Sequence, residues 1–291
     1  MYQERDIEIV DYELYALPRA SLEVRGPAPT SFDRPYIACV GAAQTFGCFC
    51  THPYPRLLGQ KLRMPALNLG IAGAGPRYFL QRPILLEYIN RASLAVLQVM
   101  SARSEDNRLF DSGGLELLRI RSDNRSIGAE PAYSELLAGK PRRFVARIVG
   151  ETRLRWVASY VALLERIQVP TVLLWFSVRQ PAYEETYDKV HGLFGKFPQL
   201  VNAEMVDAIR EYAERYVECV SSRGLPQQLR SRFTGEPATV VGRVDLGSRQ
   251  RMVNTYYPSP EMHQDAASML EGVCRAILCE SVSRDKVVDA K

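Results

Sequence analysis

His263 is one of three histidines in the chain, and it closes the segment Tyr256-Tyr-Pro-Ser-Pro-Glu-Met-His263. Two prolines and an acid precede it, so a stiff loop would fix its ring. An imidazole held that way can act as a general base facing a crevice; it can equally be a hydrogen-bonded loop histidine with no chemistry. His52 and His191 fall at less telling loop positions. No HxH or HExxH spacing occurs, so the histidines make no metal case. Cys48 and Cys50 have CxC spacing with no second Cys/His pair nearby, which reads as packing rather than zinc. Arg77, Arg103 and Arg179 each follow a candidate strand. Singly they read as solvated surface residues; together they would line a cationic crevice suited to sulfate, phosphate or carboxylate. Gly70, Gly73 and Gly75 have Gly-x-x-Gly-x-Gly spacing, which is not the GxGxxG dinucleotide fingerprint. Their amides can serve as anion donors, or the glycines can make a tight turn and nothing more. Tyr256 offers a stacking face, whereas Trp175 and Phe176 sit in an apolar run and read as core.

The elements that must position these residues alternate between strand and helix. Apolar runs at 36–40, 66–69, 94–100, 171–177 and 216–220 read as strands, the first as a buried parallel one. Helical spacing appears at 54–62, 78–89, 152–167, 203–213 and 265–278, with Asn202 as an N-cap. The alternation predicts an α/β fold, a mostly parallel five-stranded sheet with helices on both faces. Residues 1–34 read as an irregular arm, and 35–291 as one domain. Polar stretches at about 105–147 and 223–254 read as insertions, the second with a hairpin candidate at 239–245. In such sheets ligands bind beyond the carboxyl ends of the strands. The loops that matter therefore begin near Gly41, Gly70, Ser101, Ser177 and Pro258.

The chain has 291 residues, 46% of them hydrophobic and 24% charged, with a net charge of +4. This is globular composition and argues against a dedicated nucleic-acid binder. No run approaches a membrane span, and the first residues lack a signal-peptide pattern, so the expectation is cytoplasmic. The sequence assigns no cofactor, and the expected partner is a small-molecule or carbohydrate ligand.

Three loops carry a family resemblance: Gly41-Ala-Ala-Gln-Thr-Phe-Gly47, Asn68-Leu-Gly-Ile-Ala-Gly-Ala-Gly-Pro76, and the segment ending in His263. In order and separation they resemble the SGNH (GDSL-like) hydrolases over roughly residues 36–278. The chain also resembles a bacterial family with the same Tyr-Pro-Ser-Pro-Glu-Met-His ending, a match that carries no chemistry. The SGNH resemblance implies a flavodoxin-like three-layer sandwich. It implies a site drawn from Gly41, Ala43, Thr45, Asn68, Gly70 and Gly73, with His263 as base and a loop glycine as oxyanion donor. The departures are specific. Ala42 stands where the family has Asp, Ala43 where it has the nucleophilic Ser, and Pro260 where it has the triad Asp. The third loop lacks Gly-x-Asn-Asp, and Asn107 comes a few residues late. A methyl group cannot attack a carbonyl, so Ser-type esterase action is not expected. Three readings remain. One is direct sulfuryl or acyl transfer to a carbohydrate or glycolipid hydroxyl, with His263 as base and the arginines holding the donor. The second is a catalytically silent domain that binds a glycan, an anionic metabolite or a protein. The third and weakest is a hydrolase using Ser101 or Ser104.

Overall fold

A computed structural model describes residues 2–241 and 250–288. Five strands make its centre: β1 (Ile37–Gly41), β2 (Ala66–Gly70), β3 (Leu94–Gln98), β4 (Thr171–Ser177) and β5 (Arg215–Val220). Every neighbouring pair is parallel, in the order β2-β1-β3-β4-β5. Each residue of β1, β3 and β4 is buried. Both faces of these strands are covered, which is why they read as unbroken apolar runs.

The helices that cover the sheet are α1 (Ala43–Phe46), α2 (Tyr54–Leu62), α3 (Pro76–Leu80), α4 (Pro83–Asn90), α5 (Arg142–Arg166), α6 (Ala203–Arg210) and α7 (Pro260–Val288). Alternate strand residues feed two cores. Ile37, Cys39, Val96 and Leu174 pack with Tyr54 and Leu58 of α2 and Leu270 and Cys274 of α7. Ala38, Val40 and Leu97 pack on the other face with Trp156, Tyr160 and Leu163 of α5 and Ile209 of α6. The result is a three-layer α/β sandwich with a parallel central sheet, as the alternation predicts.

Helix boundaries differ from the sequence reading in several places, three of them for a clear local reason. The helix expected over 78–89 is two, because Pro83 cannot donate a backbone N–H and starts α4 instead. The helix expected to begin at Thr152 begins at Arg142, since buried Val145, Ile148 and Val149 continue its apolar stripe. The closing helix begins at Pro260 rather than Asp265. Ser259 Oγ accepts the Met262 N–H (3.2 Å) as an N-cap, and Pro260 fills the first helical position.

Residues 105–147 contain a three-stranded antiparallel sheet (Phe110–Asp111, Leu117–Ile120, Ser126–Gly128) and the helix Ala129–Gly139. In the second polar stretch Val240–Val241 pairs antiparallel with Gln250–Arg251. The rest of the hairpin expected at 239–245 falls on 242–245, outside the described residues. The first 34 residues are not irregular throughout. They include the helix Tyr2–Asp6 and the hairpin Tyr15–Leu17/Leu22–Val24. Arg25 follows the hairpin and is 2% exposed. Its guanidinium donates to the carbonyls of Phe46 (3.2 Å), Gly47 (2.8 Å), Cys50 (2.6 Å) and Thr51 (3.2 Å), tying the arm to the loop after β1. Among the described residues no helix is long and apolar enough to cross a membrane.

Candidate functional site

The chain runs outward from β1 to β2, then crosses back past β1 to β3. Loops leaving neighbouring strands in opposite directions open a crevice at their carboxyl ends, the usual ligand position in this topology. A cleft of ≈ 40 Å³ lies there. Ala42, Ala43 and Ala74 give it an apolar side; Gln44, Arg103 and Glu116 give it a polar one; Phe197, Tyr256 and Tyr257 give it an aromatic wall. The space equals roughly one or two waters at about 30 Å³ each, so it admits the tip of a ligand. A larger cavity of ≈ 330 Å³ lies against β2 and α2, lined by Pro27, Pro55, Arg63 and Met64. The smaller cleft is the candidate because it sits where the strand order reverses and holds unpartnered polar atoms.

The loop after β1 is braced from below. Gln98 Oε1, at the end of β3, accepts the Ala42 N–H (3.0 Å) and the Thr45 hydroxyl (2.7 Å). Asn68 Nδ2 donates to the Thr45 carbonyl (3.0 Å), and Asn68 Oδ1 accepts the Gly70 N–H (2.9 Å). Close packing explains two glycines. A Cβ on Gly41 would lie 2.2 Å from Thr45 Oγ1, and one on Gly70 would lie 2.1 Å from the Phe46 nitrogen. Gly73 has φ +68°, in the left-handed region that favours glycine, and lines the cleft against Glu116.

Arg103 pairs with Glu116 and donates to the Tyr256 hydroxyl (3.4 Å), which also accepts from Gln199 Nε2 (3.0 Å). Two buried atoms of the cleft residues have no partner among the described residues, Gln44 Oε1 and Arg103 Nε. Each such atom costs about 1–3 kcal/mol when left unmade. Native structures leave few, so a pair in one cleft marks a place where a ligand or ordered water belongs.

His263 does not line this cleft. It is fully buried in the first turns of α7, with ring centroids 6.2 Å from Tyr54 and 5.3 Å from Phe176. Burial, helped by the charge of Arg25, pushes its pKa down to about 3. The Tyr54 N–H donates to Nδ1 (3.1 Å), which puts the ring proton on Nε2. Triad wiring is the reverse: Nδ1–H donates to a carboxylate and Nε2 takes the nucleophile's proton. The expected crevice-facing base is therefore corrected to a buried neutral imidazole. The physical reason is the early helix start, which turns a presumed loop residue toward the sheet.

The expected cationic crevice is corrected as well. Arg179 spends its guanidinium on the carbonyls of Lys196, Gln180, Pro181, Pro198 and Val201, and burial pushes its pKa down to about 10. Arg77 faces Asp106 (3.1 Å) and Glu105 (3.8 Å). Arg103 alone of the three reaches the cleft, already paired. Ser101 Oγ donates to the Gln199 carbonyl (3.2 Å) and Ser104 Oγ to the Gly73 carbonyl (2.7 Å). Asn107 is buried and serves Leu109, Phe110, Tyr133 and Thr152.

A family model described as a domain of unknown function, DUF6473, matches residues 1–112 and 133–278. The chain belongs to that family. No curated protein matches it. Similar solved structures include a carbohydrate esterase family 2 enzyme with a carbohydrate binding domain from Corynascus thermopiles (Myceliophthora fergusii). It is 13% identical, covering 87% of this chain and 68% of that one, with a TM-score of 0.40. A family two carbohydrate esterase from Clostridium thermocellum, solved with cellohexaose, is 11% identical, covering 87% and 67%, with a TM-score of 0.38. The lipase Lip_vut3 from a goat rumen metagenome is 10% identical, covering 82% and 97%, with a TM-score of 0.42.

Of the residues expected at the site of this DUF6473 chain, Ala43, Gly73 and Arg103 meet at the cleft. Gly41, Thr45, Asn68 and Gly70 stand behind it as bracing, and Arg77, Arg179 and His263 lie outside its lining. The sequence reading missed Gln44 and Glu116. Gln44 was within reach of it, one residue past Ala43 in a loop already singled out. Glu116 sits in a polar stretch with no periodicity, and nothing local marks it.

Proposed function

We propose that this chain is a ligand-binding domain on an SGNH-like scaffold, without that family's hydrolytic machinery, and that its ligand is a carbohydrate or another uncharged polar metabolite. Ala43 is taken to stand where the family's nucleophilic serine would be. The carrying observation is the reversed hydrogen bond at His263: a ring whose Nδ1 already accepts the Tyr54 N–H, and which is wholly buried, has no basic nitrogen to offer the cleft. Transfer with His263 as base loses its support for the same reason. An anionic ligand is disfavoured because Arg103 and Arg77 already face carboxylates and Arg179 is held by backbone carbonyls. A sugar suits what is left: polar side chains of Gln44, Arg103 and Glu116 in one lining, with Tyr256 partly exposed to stack on an apolar ring face. Residues 35–291 are read as one domain with insertions at about 105–147 and 223–254. The buried thiols Cys39, Cys50, Cys219 and Cys274 support a reducing, cytoplasmic setting.

A thermal-shift panel of neutral sugars, oligosaccharides and anionic metabolites tests the reading, since a bound ligand in excess raises Tm by mass action. Neutral sugars should raise it and anions should not. Labelling of Ser101 or Ser104 by a fluorophosphonate probe would overturn the non-catalytic assignment.

A further inference from the structure

We infer that the chain has a second binding site, beside the edge strand β2, and that this site takes a carboxylate with an apolar body. It is separate from the crevice and does not depend on what the crevice binds.

The cavity of ≈ 330 Å³ beside β2 has room for a small organic molecule, since ligand pockets begin near about 300 Å³. It lies where the N-terminal arm, α2 and the outermost strand meet. Pro27, Pro53, Pro55, Pro65 and Met64 line it. A proline has no N–H and a fixed φ, so these walls are apolar and hold their shape without a ligand. Both sides of the cavity are pinned. Arg25 forms an antiparallel bridge with Asn68 immediately before Gly26 and Pro27. Gly59 lets α2 lie close against β2, where a Cβ would come within 2.8 Å of the Met64 oxygen.

Charge names the polar end of the ligand. The lining side chains with polar ends are Arg56, Gln60, Arg63 and Asn68, and none is an acid. Asn68 bonds Thr45 and Gly70, and Arg56 pairs with Glu13 (2.9 Å). Arg63 is exposed and has no carboxylate partner among the described residues. A guanidinium meets a carboxylate through two parallel N–H···O bonds. The backbone supplies an independent reason. Arg63 caps α2 at φ +54°, in the left-handed region where glycine is favoured and a side chain is strained. The chain therefore carries an arginine where stability alone calls for glycine, and strain of this kind gathers at ligand sites. A hydrophilic anion, such as those of the thermal-shift panel, leaves the proline walls wet. A neutral apolar molecule gains nothing from Arg63. A carboxylate on an apolar body uses both.

The full chain, ¹⁵N-labelled, is titrated with sodium 3-phenylpropionate and sodium octanoate, and in parallel with 3-phenylpropanamide and sodium acetate. Either apolar carboxylate should move the backbone resonances of Ala28, Gly59 and Ala66 saturably and leave Ala43 and Gln44 in place. The amide lacks the charge and acetate lacks the apolar body, so each should bind about tenfold or more weakly than 3-phenylpropionate. Arg63→Gly relieves the left-handed backbone: its Tm should match or exceed wild type while affinity for the carboxylate falls about tenfold or more. Arg63→Lys keeps a cation and should recover part of that loss. No saturable shift at Ala28, Gly59 and Ala66 from either carboxylate, equal affinity for the amide, or unchanged affinity in Arg63→Gly would overturn the site. None of these results bears on the crevice, whose ligands are read at Ala43, Gln44 and Gly73.

Discussion

Replacing His263 by Gln should flatten the acid limb of the stability curve. The ring titrates near its ordinary 6.5 when the chain is unfolded and near 3 when it is folded, because burial removes the water that would solvate its charge. Between those values the unfolded chain binds the extra proton. Stability contributed by the neutral buried ring is therefore whole above 6.5 and is lost as pH falls toward 3. From pH 7 to pH 5 the difference amounts to about 1.4 pK units, or about 2 kcal/mol. Glu105 works in the opposite sense: burial raises its pKa to about 7, so its neutral form favours folding at low pH and that stability is lost as pH rises through 7. Glu105 is present in both proteins, so the comparison cancels it. Urea unfolding at pH 7 and pH 5 for the two proteins gives the double difference. Wild type should lose about 2 kcal/mol more than His263→Gln over this interval. Parallel losses would show that the ring is solvated and would sink the argument that it is no base for the cleft.

Ala43→Ser should not hydrolyse p-nitrophenyl acetate faster than wild type; an intact relay would recover several of the roughly six orders of magnitude that nucleophile removal costs, so a large gain would restore the esterase reading. Gly70→Ala places its Cβ against the Phe46 nitrogen at 2.1 Å, where only backbone can yield, and should destabilise by about 1–3 kcal/mol in urea melts, as overpacking does. Thr45→Val takes a hydroxyl from both Gln98, which keeps the Ala42 N–H, and the buried Tyr54 hydroxyl, which loses this partner, and should cost about 1–3 kcal/mol in the same assay. Arg25→Met takes the guanidinium from four carbonyls, of which Gly47 keeps the Cys50 N–H and Phe46 the longer Asn68 bond, and should cost about 3 kcal/mol, read as a lowered Tm.

The central sheet was legible because buried parallel strands must be apolar on both faces. The strand at 171–177 was read with its observed bounds, Thr171–Ser177. The start of α7 was missed because Ser259-Pro260-Glu261 was weighed as a rigid loop, though Ser at the cap and Pro at the first position equally begin a helix. That single error moved His263 from cleft to core. Arg179 misled for another reason: a guanidinium after a strand looks the same in sequence whether water or five carbonyls await it. Glu116 reaches the cleft through the fold of the small antiparallel sheet beside it, which no local pattern announces.

Arg25 gives the first residues of the chain a part in shaping a cavity they do not line. The peptide units it grips belong to the segment that carries on from Ala43 and Gln44, so the arm sets how far that segment can drift from β3. A chimera that kept this sheet but borrowed its opening residues from another relative would need the guanidinium and its four oxygen partners inherited together; otherwise the recess would lose its outline before any residue facing it had changed.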